Sequence, residues 1–294
     1  MNWAIERKLT QLPEQMQLQP VSGGSINQTA LLTFADRKPL FIKYNSGKSK
    51  TFFQAEAEGL KALAEANCVR VPRVIEHVKL PEGDQQAGGE WYLILEAVEQ
   101  GSRCKGFEEV FGHQLALLHQ SLTDESFGFN QDNFIGATPQ MNTYRMANWS
   151  EFFITQRLLP QLQMARDSAL LSSSDQQIFD EALPQIQSVL PSHCTPTLIH
   201  GDLWSGNLLA DERGEPVLID PAVYYAHHEA EFGMTRLFGG FSSRFDAAYQ
   251  EVHPFEAGAE ERIPAYTLYH VLNHLNLFGS SYLASALQIA RKYR

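Results

Sequence analysis

Cysteine is scarce in this sequence. The 294 residues include only Cys68, Cys104 and Cys194. Their number is odd, they lie far apart, and no two of them have Cys-x-x-Cys spacing. These features argue against a disulfide framework and against a cysteine-based zinc site.

Long apolar segments are also missing. No run approaches the roughly 20 residues that a membrane-spanning helix needs. Near the start, M-N-W-A-I-E-R-K-L places charges where a secretory signal would need an uninterrupted apolar stretch. The sequence therefore predicts a cytoplasmic protein with no membrane partner.

Basic residues are outnumbered, with 23 Lys and Arg against 34 Asp and Glu, which gives a formal net charge of -11. This balance argues against the broad basic surface that nucleic acid would attract, and a small neutral or cationic partner is more compatible with it. Internal repeats and low-complexity tracts are absent. The sequence carries no signal for an oligomeric state.

The hydrophobic pattern changes along the chain. In the first third it predicts a β-hairpin over 29–34 and 39–44, a helix over 52–65, and strands over 71–78 and 91–97. Later it predicts helices over 107–118, 149–162, 174–190 and 263–278. We therefore predict an α+β protein with a small β-rich N-terminal lobe, residues 1–98, containing one main helix. The larger, mainly α-helical C-terminal lobe follows as residues 99–294.

The most specific motif is H-G-D-L-W-S-G-N at 200–207. Protein kinases have the same Asp-x-x-x-x-Asn spacing, in which the aspartate accepts the proton of the substrate hydroxyl and the asparagine holds a metal ion. This spacing predicts Asp202 as the catalytic residue and Asn207 as a metal ligand. The alternative is an ordinary loop followed by a hairpin.

The segment after this motif predicts a second metal ligand. Residues 207–210 and 217–220 are short and apolar, and a charged turn that ends in glycine joins them. Antiparallel pairing of the two segments brings Asn207 and Asp220 to the same open end. Two oxygen ligands at one rim suit Mg²⁺.

A glycine-containing stretch, V-S-G-G-S-I-N at 21–27, enters the first strand of the predicted hairpin. It lacks the G-x-G-x-x-G pattern of protein kinases. Its backbone N–H groups are nevertheless candidates for covering phosphates, and the residues concerned are Gly23, Gly24, Ser25, Ile26 and Asn27. An ordinary glycine turn before a strand is the alternative.

Lys43 lies in the second strand of the same hairpin. In the helix that follows, Glu56 falls on the apolar stripe of Phe53, Leu60 and Leu63. A carboxylate on such a stripe is costly unless it is paired, and Lys43 is the predicted partner. Kinases use a pair of this kind to position ATP phosphates. The alternative is two side chains that reach water.

Several further segments carry a family resemblance. They are D-N-F-I-G at 132–136, D-P-A-V-Y at 220–224, H-E-A-E-F-G-M at 228–234, L-F-G-G-F at 237–241 and L-N-H at 272–274. With the H-G-D motif, they resemble the fructosamine kinases, or ketosamine-3-kinases, over nearly the whole length. That family belongs to the aminoglycoside-phosphotransferase and choline-kinase branch of the protein-kinase-like fold. Minor departures are H-H-E at 227–229 and Ser25, where some relatives have cysteine.

The resemblance implies a two-lobed kinase that uses ATP and Mg²⁺. Its expected reaction is phosphorylation of the 3-hydroxyl of a ketosamine, such as a fructosamine, ribulosamine or erythrulosamine, as a repair of glycation. It implies adenine contacts from the backbone of the connector, at Glu96, Ala97 and Val98. It also implies candidate substrate contacts at Trp204, His274 and Glu229, with structural roles as the alternative for each.

Two other functions stay open at this point. A kinase for a different hydroxylated amine, such as an aminoglycoside, choline or homoserine, would share the ATP chemistry and differ in the acceptor pocket. A non-catalytic kinase-like binding module is the other possibility. The complete set of predicted catalytic and metal-binding residues argues against that module.

Overall fold

The computed structural model describes residues 16–21, 27–45, 50–79 and 91–294. The N-terminal part of the described chain is a five-stranded antiparallel sheet in the order β1-β2-β3-β5-β4. Its strands are β1 (Met16–Val21), β2 (Gln28–Phe34), β3 (Leu40–Asn45), β4 (Val74–Lys79) and β5 (Trp91–Glu96). Helix α1 (Lys50–Glu65) lies between β3 and β4 in the chain.

Helix α1 packs on the sheet through its apolar stripe. Phe53, Ala57 and Leu60 of the helix form one buried cluster with Leu93 and Leu95 of β5. The same stripe carries Glu56, as the sequence predicts. Packing of this stripe therefore turns the Glu56 carboxylate toward the protein interior.

Helices dominate the rest of the chain. They are α2 (Phe107–Ser121), α3 (Trp149–Phe153), α4 (Leu159–Asp167), α5 (Ser173–Val189), α6 (Phe232–Thr235), α7 (Ser243–Val252), α8 (Ala259–Phe278) and α9 (Leu283–Ala290). A π-helical segment, Ile154–Leu158, joins α3 to α4. Within the described ranges no helix is both long enough and apolar enough to cross a bilayer.

Short antiparallel strand pairs are inserted among these helices. The pairs are β6 (Asn133–Ile135) with β7 (Thr138–Gln140), β8 (Thr197–Ile199) with β11 (Tyr224–Ala226), and β9 (Leu208–Ala210) with β10 (Pro216–Leu218). The β9–β10 pair is the hairpin predicted after the H-G-D motif. The α+β architecture predicted from the sequence is confirmed.

Several elements differ from the sequence prediction for identifiable reasons. Strand β1 was not predicted because Pro20 interrupts its pattern, but β1 is an edge strand, where a residue without an N–H is tolerated. The three-residue strands β6, β7, β8 and β11 were not predicted, because segments this short carry little periodicity. Helix α8 begins at Ala259, before the predicted start at 263, with two acidic residues in its first turn.

Buried histidines are a feature of the helical part. His227, His228 and His270 are each at most 5% exposed. Burial lowers the pKa of His227 and of His270 to about 3, and nearby positive groups add to this effect. Burial likewise lowers the pKa of His228. These rings are therefore neutral in the folded protein at neutral pH.

This burial predicts a loss of stability in acid. Below pH 6.5 the unfolded chain binds protons that the buried rings do not, so the free energy of unfolding falls as the pH drops toward 3. Between pH 7 and pH 5, we expect the free energy of unfolding of His270→Leu to fall by about 2 kcal/mol less than that of the wild type, because one of these histidines is gone. Urea unfolding at both pH values measures this difference. Equal losses in the two proteins would contradict the prediction.

Candidate active site

The H-G-D motif forms a loop that His200 and Gly201 hold in place. The buried His200 ring donates from Nε2 to the carbonyl of Ile219, 2.8 Å away, and its Nδ1 accepts from the backbone N–H of Asp202 at 3.3 Å. Gly201 has φ of +80°, and a Cβ there would lie 2.2 Å from the carbonyl oxygen of Ala222. Glycine is therefore required at this close approach.

Glu231 supports the same loop through hydrogen bonds to its backbone. It is buried, and its two carboxylate oxygens accept hydrogen bonds from the backbone N–H groups of His200 at 2.5 Å and Gly201 at 3.0 Å. Both donors immediately precede Asp202. Two charge-assisted hydrogen bonds to consecutive amides therefore fix the backbone that carries the Asp202 side chain.

Asn207 and Asp220 meet the loop at the open end of the β9–β10 hairpin. The Nδ2 of Asn207 donates to the carbonyl of Asp202 at 2.8 Å, and its own carbonyl accepts from Ile219 N–H at 3.1 Å. Asp220 follows with φ of +56°, a left-handed conformation that is unusual for a residue other than glycine. The convergence predicted from the hairpin is present.

Lys43 joins this loop to the N-terminal sheet. Its ammonium donates to Glu56 Oε1 at 2.6 Å and also contacts Asp220 Oδ1. Burial lowers the pKa of Lys43, but the charges of Asp220 and Glu56 outweigh that effect, so its pKa lies above the ordinary value. The predicted contact between Lys43 and Glu56 is confirmed, and Asp220 is a second partner that the sequence did not indicate.

The environment of Asp202 favours its protonated form more than water would. Burial raises the pKa of Asp202 to about 7, and the negative charges of Asp220 and Glu231 add to the shift. The amide of Asn207 acts in the opposite direction. A carboxylate with this pKa can accept a proton near neutral pH.

A buried amide network holds the segment just after Asp220. Asn133 Nδ2 donates to the carbonyl of Val223 at 2.7 Å, and Gln140 Nε2 donates to that of Ala222 at 3.0 Å. Gln140 also donates to Asn133 Oδ1 at 2.7 Å, so the two side chains brace each other. The β6–β7 hairpin therefore positions the loop that carries Asp220.

Three cavities share residues around this site and form one cleft. The central cavity, of about 300 Å³, is lined by Lys43, Glu56, Asp202, Asn207 and Asp220. The apolar cavity, of about 260 Å³, shares Lys43 and Asp220 with it. The aromatic cavity, of about 310 Å³, shares Asp202 and Trp204 with it. The central cavity thus lies between the other two.

The apolar cavity extends to the connector after β5. Its lining includes Phe41, Leu60 and Leu95 from the sheet and α1, together with Glu96 and Val98. A flat apolar ring bound here would lie beside backbone groups of the connector, which suits a nucleotide base.

Arg70 fixes the connector relative to the β9–β10 hairpin. Its guanidinium donates to Glu96 Oε1 and to Asp211 Oδ2, both at 2.6 Å. Its carbonyl accepts from the N–H of Leu218 in β10 at 2.9 Å. The end of the sheet and the hairpin with Asn207 are therefore held at a defined separation.

Most of the predicted site residues lie along this cleft. Asn27 lines the central cavity, Trp204 lines both the central and the aromatic cavity, and His274 lines the aromatic cavity. Ala97 is not among the residues that line the three cavities. The phosphate-loop candidates Gly23, Gly24, Ser25 and Ile26 lie outside the described residues.

Glu229 is the predicted substrate contact that the structure does not bring to the cleft. It is fully buried, and Arg262 donates to both of its oxygens, at 2.7 and 2.8 Å. The N–H of Glu256 donates to it as well, at 3.0 Å. Glu229 therefore forms a structural ion pair with Arg262 and makes no contact with the cleft. An unpaired carboxylate would be too costly inside the core.

Two groups of residues were not predicted as part of the site. For Glu231 we expected a structural role, with substrate contact as the alternative. Its support of the loop that carries Asp202 was not predicted, although a carboxylate within an apolar run signals a buried partner. Phe238 and Phe278, which line the aromatic cavity, were not singled out. Their exposure on the folded surface is a tertiary property with no sequence signal.

Comparison with known proteins identifies relatives of the whole chain. A family model described as fructosamine kinase matches residues 1–294. The chloroplastic protein-ribulosamine 3-kinase of Arabidopsis thaliana is 40% identical over 297 residues, covering 99% of this chain and 86% of the relative. A crystal structure of a Thermobifida fusca protein assigned as a fructosamine-3-kinase is 32% identical, with a TM-score of 0.82, covering 97% of this chain and 96% of that one.

The fold extends to more distant proteins. A thermostable mutant of the aminoglycoside phosphotransferase APH(4)-Ia is 15% identical, with a TM-score of 0.68, covering 99% of this chain and 97% of that one. At this identity the likeness concerns the fold alone. Together with the closer relatives, it confirms the two-lobed protein-kinase-like fold predicted from the sequence.

The position of Glu231 predicts a specific effect on stability. In Glu231→Gln one acceptor oxygen becomes an NH₂ group that faces a backbone N–H, so we expect a loss of about 1–3 kcal/mol in the free energy of unfolding. Glu251→Gln is the matched control, because the Glu251 side chain is 68% exposed and the change should stay within about 0.5 kcal/mol. Chemical denaturation measures both. Equal stability of the two variants would show that Glu231 does not anchor the loop.

Proposed function

Because the chain belongs to the fructosamine kinase family, we propose that it transfers the γ-phosphoryl group of ATP to the 3-hydroxyl of a ketosamine. The observation that carries this proposal is the position of Asp202, on the shared wall of the central and aromatic cavities. A hydroxyl in the aromatic cavity would lie between this base and phosphates in the central cavity. Residues 1–98 would serve as the nucleotide-binding lobe and residues 99–294 as the catalytic and substrate-binding lobe.

ATP would occupy the apolar and central cavities. Its base would lie against the connector, with backbone bonds from the 96–98 segment, and its phosphates would lie beside Lys43. The buried Lys43 ammonium keeps its charge because two carboxylates flank it. Glu56 would hold the lysine in place, and the backbone at Asn27 and at the preceding 23–26 stretch would cover the phosphates.

The residues at the open end of the hairpin fit Mg²⁺ by their donor chemistry. Asn207 uses its amide nitrogen to contact Asp202, which leaves the amide oxygen as an acceptor. The Asp220 side chain is 46% exposed and has a second carboxylate oxygen besides the one beside Lys43. Oxygen donors of this kind suit a hard divalent ion, which when bound neutralises charge on the phosphate oxygens.

The reaction would need one proton acceptor and an in-line arrangement. As the acceptor oxygen bonds to the γ-phosphorus, the bond from that phosphorus to the β-phosphate oxygen breaks and ADP leaves. Asp202 would take the proton of the hydroxyl. Most of the rate enhancement would come from positioning and from neutralising charge. The proposed compartment is the cytoplasm.

The acceptor defines the proposed function, so a panel of acceptors tests it. With ATP and Mg²⁺, we expect ketosamines to be phosphorylated and the new phosphate to appear on O3 by NMR. Choline, homoserine and an aminoglycoside should be poor acceptors. Efficient turnover of one of those alcohols without any ketosamine product would overturn the proposal in favour of another small-molecule kinase.

The role of Asp202 predicts a separation of chemistry from binding. Asp202→Asn removes the proton acceptor and keeps the side-chain shape, so turnover should fall by about 10²–10⁴-fold while ATP affinity stays nearly the same. Steady-state kinetics and calorimetric titration with ATP measure the two effects. Asp246→Asn, in α7, serves as the control and should retain turnover. Wild-type turnover in Asp202→Asn would rule out the assigned role.

A further inference from the structure

The aromatic cavity has a wall of partly exposed rings next to Asp202. Trp204, Phe238 and Phe278 are 38%, 46% and 53% exposed, which is unusual for such large apolar side chains. All three line the cavity, together with Tyr282. Partly exposed rings that line one cavity indicate a ligand-binding surface.

The rings are arranged around His274. The His274 ring centroid lies 4.9 Å from that of Phe238, 5.5 Å from that of Phe278 and 5.2 Å from that of Tyr282. Trp204 contacts Phe238 edge to face, with centroids 6.3 Å apart. Ring faces and edges at these distances form a continuous aromatic surface from Asp202 to the rim.

His274 presents a hydrogen-bond acceptor in this surface. Its Nδ1 lies 2.8 Å from the backbone carbonyl of His270. A carbonyl can only accept, so Nδ1 carries the proton and Nε2 has a lone pair when the ring is neutral. Burial lowers the pKa of His274, which favours the neutral ring.

The charge of the cavity limits what it can bind. Among the described residues that line it, Asp202 has the only charged side chain. A molecule with many positive charges would lack carboxylate partners here. A single cation is different, because ring faces attract it and a neutral imidazole nitrogen can accept its N–H.

We propose that this cavity binds the protonated secondary amine of the ketosamine and directs the amine's substituent outward past Phe278. This inference rests on the proposed function and specifies the substrate class within it. Only three carbon atoms separate the 3-hydroxyl from the amine, so a hydroxyl at Asp202 places the amine in the adjoining aromatic cavity. Phe238, Phe278 and Tyr282 supply ring faces, and His274 Nε2 accepts the ammonium N–H.

The outward path has a consequence for substrate size. The rim residue Phe278 is more than half exposed, so a chain that leaves the cavity there reaches solvent. A ketosamine on a lysine side chain within a peptide therefore fits as well as the free compound. The site selects for the ammonium and tolerates what lies beyond it.

A pair of substrates tests the contribution of the protonated amine. One is the ketosamine of Nα-acetyl-lysine amide, and the other is its ether, in which oxygen replaces the secondary amine nitrogen. We expect the ether to have a KM about 10-fold higher with a similar kcat, because the cation–π attraction and the N–H donor are both lost. An ether with the KM of the amine would overturn the inference.

Ring variants locate the effect. Phe278→Leu and Phe238→Leu keep apolar bulk and remove a ring face, so the preference for amine over ether should fall about 3-fold or more in each. Tyr144→Leu is the matched control, since Tyr144 is 66% exposed and does not line the cavity. It should keep the full preference. Equal preference in all four proteins would overturn the assignment of these rings.

Binding without ATP separates this inference from the proposed function. Calorimetry should detect the ketosamine, and detect the ether about 10-fold more weakly, in wild type and in Asp202→Asn. If neither compound is phosphorylated but the amine still binds through Phe278, the proposed reaction fails and the cation site stands. If both compounds are phosphorylated and bind equally well, the reaction stands and the cation site fails.

Discussion

Lys43 is only 5% exposed, so its ammonium keeps its charge only with close partners, and it has two. Glu56 reaches it from α1, and Asp220 reaches it from the loop after β10. Breaking the contact with Glu56, whose side chain is only 11% exposed, would leave that carboxylate in a poorly solvated position, which is strongly unfavourable. The arrangement of sheet, helix and loop around the cleft follows from this one requirement.

In the helical part, a buried carboxylate and a neutral histidine ring stabilise the loop that carries Asp202. Glu231 receives the amides of His200 and Gly201, and His200 in turn spans the Asp202 amide and the Ile219 carbonyl. The loops that carry Asp202 and Asp220 therefore share a support. Because buried polar groups must be satisfied, this support is rigid.

Glu229 and Glu231 show which part of a residue's environment a sequence pattern predicts and which part it does not. They lie two residues apart in the same motif, and both are buried carboxylates. One pairs with Arg262 and the other with the backbone of the loop that carries Asp202. The pattern indicates that each needs a partner, but the partners come from distant elements that only the folded chain brings near.

By itself, the sequence determined the elements and residues whose signal is local. The spacing in H-G-D-L-W-S-G-N, the β9–β10 hairpin and the stripe of α1 that carries Glu56 all depend on neighbouring residues, and all are found as predicted. Tertiary structure decided three other features. They are the short strands such as β8, the contact of Lys43 with Asp220, and the ring surface around His274. They depend on contacts between distant segments, which local periodicity does not encode.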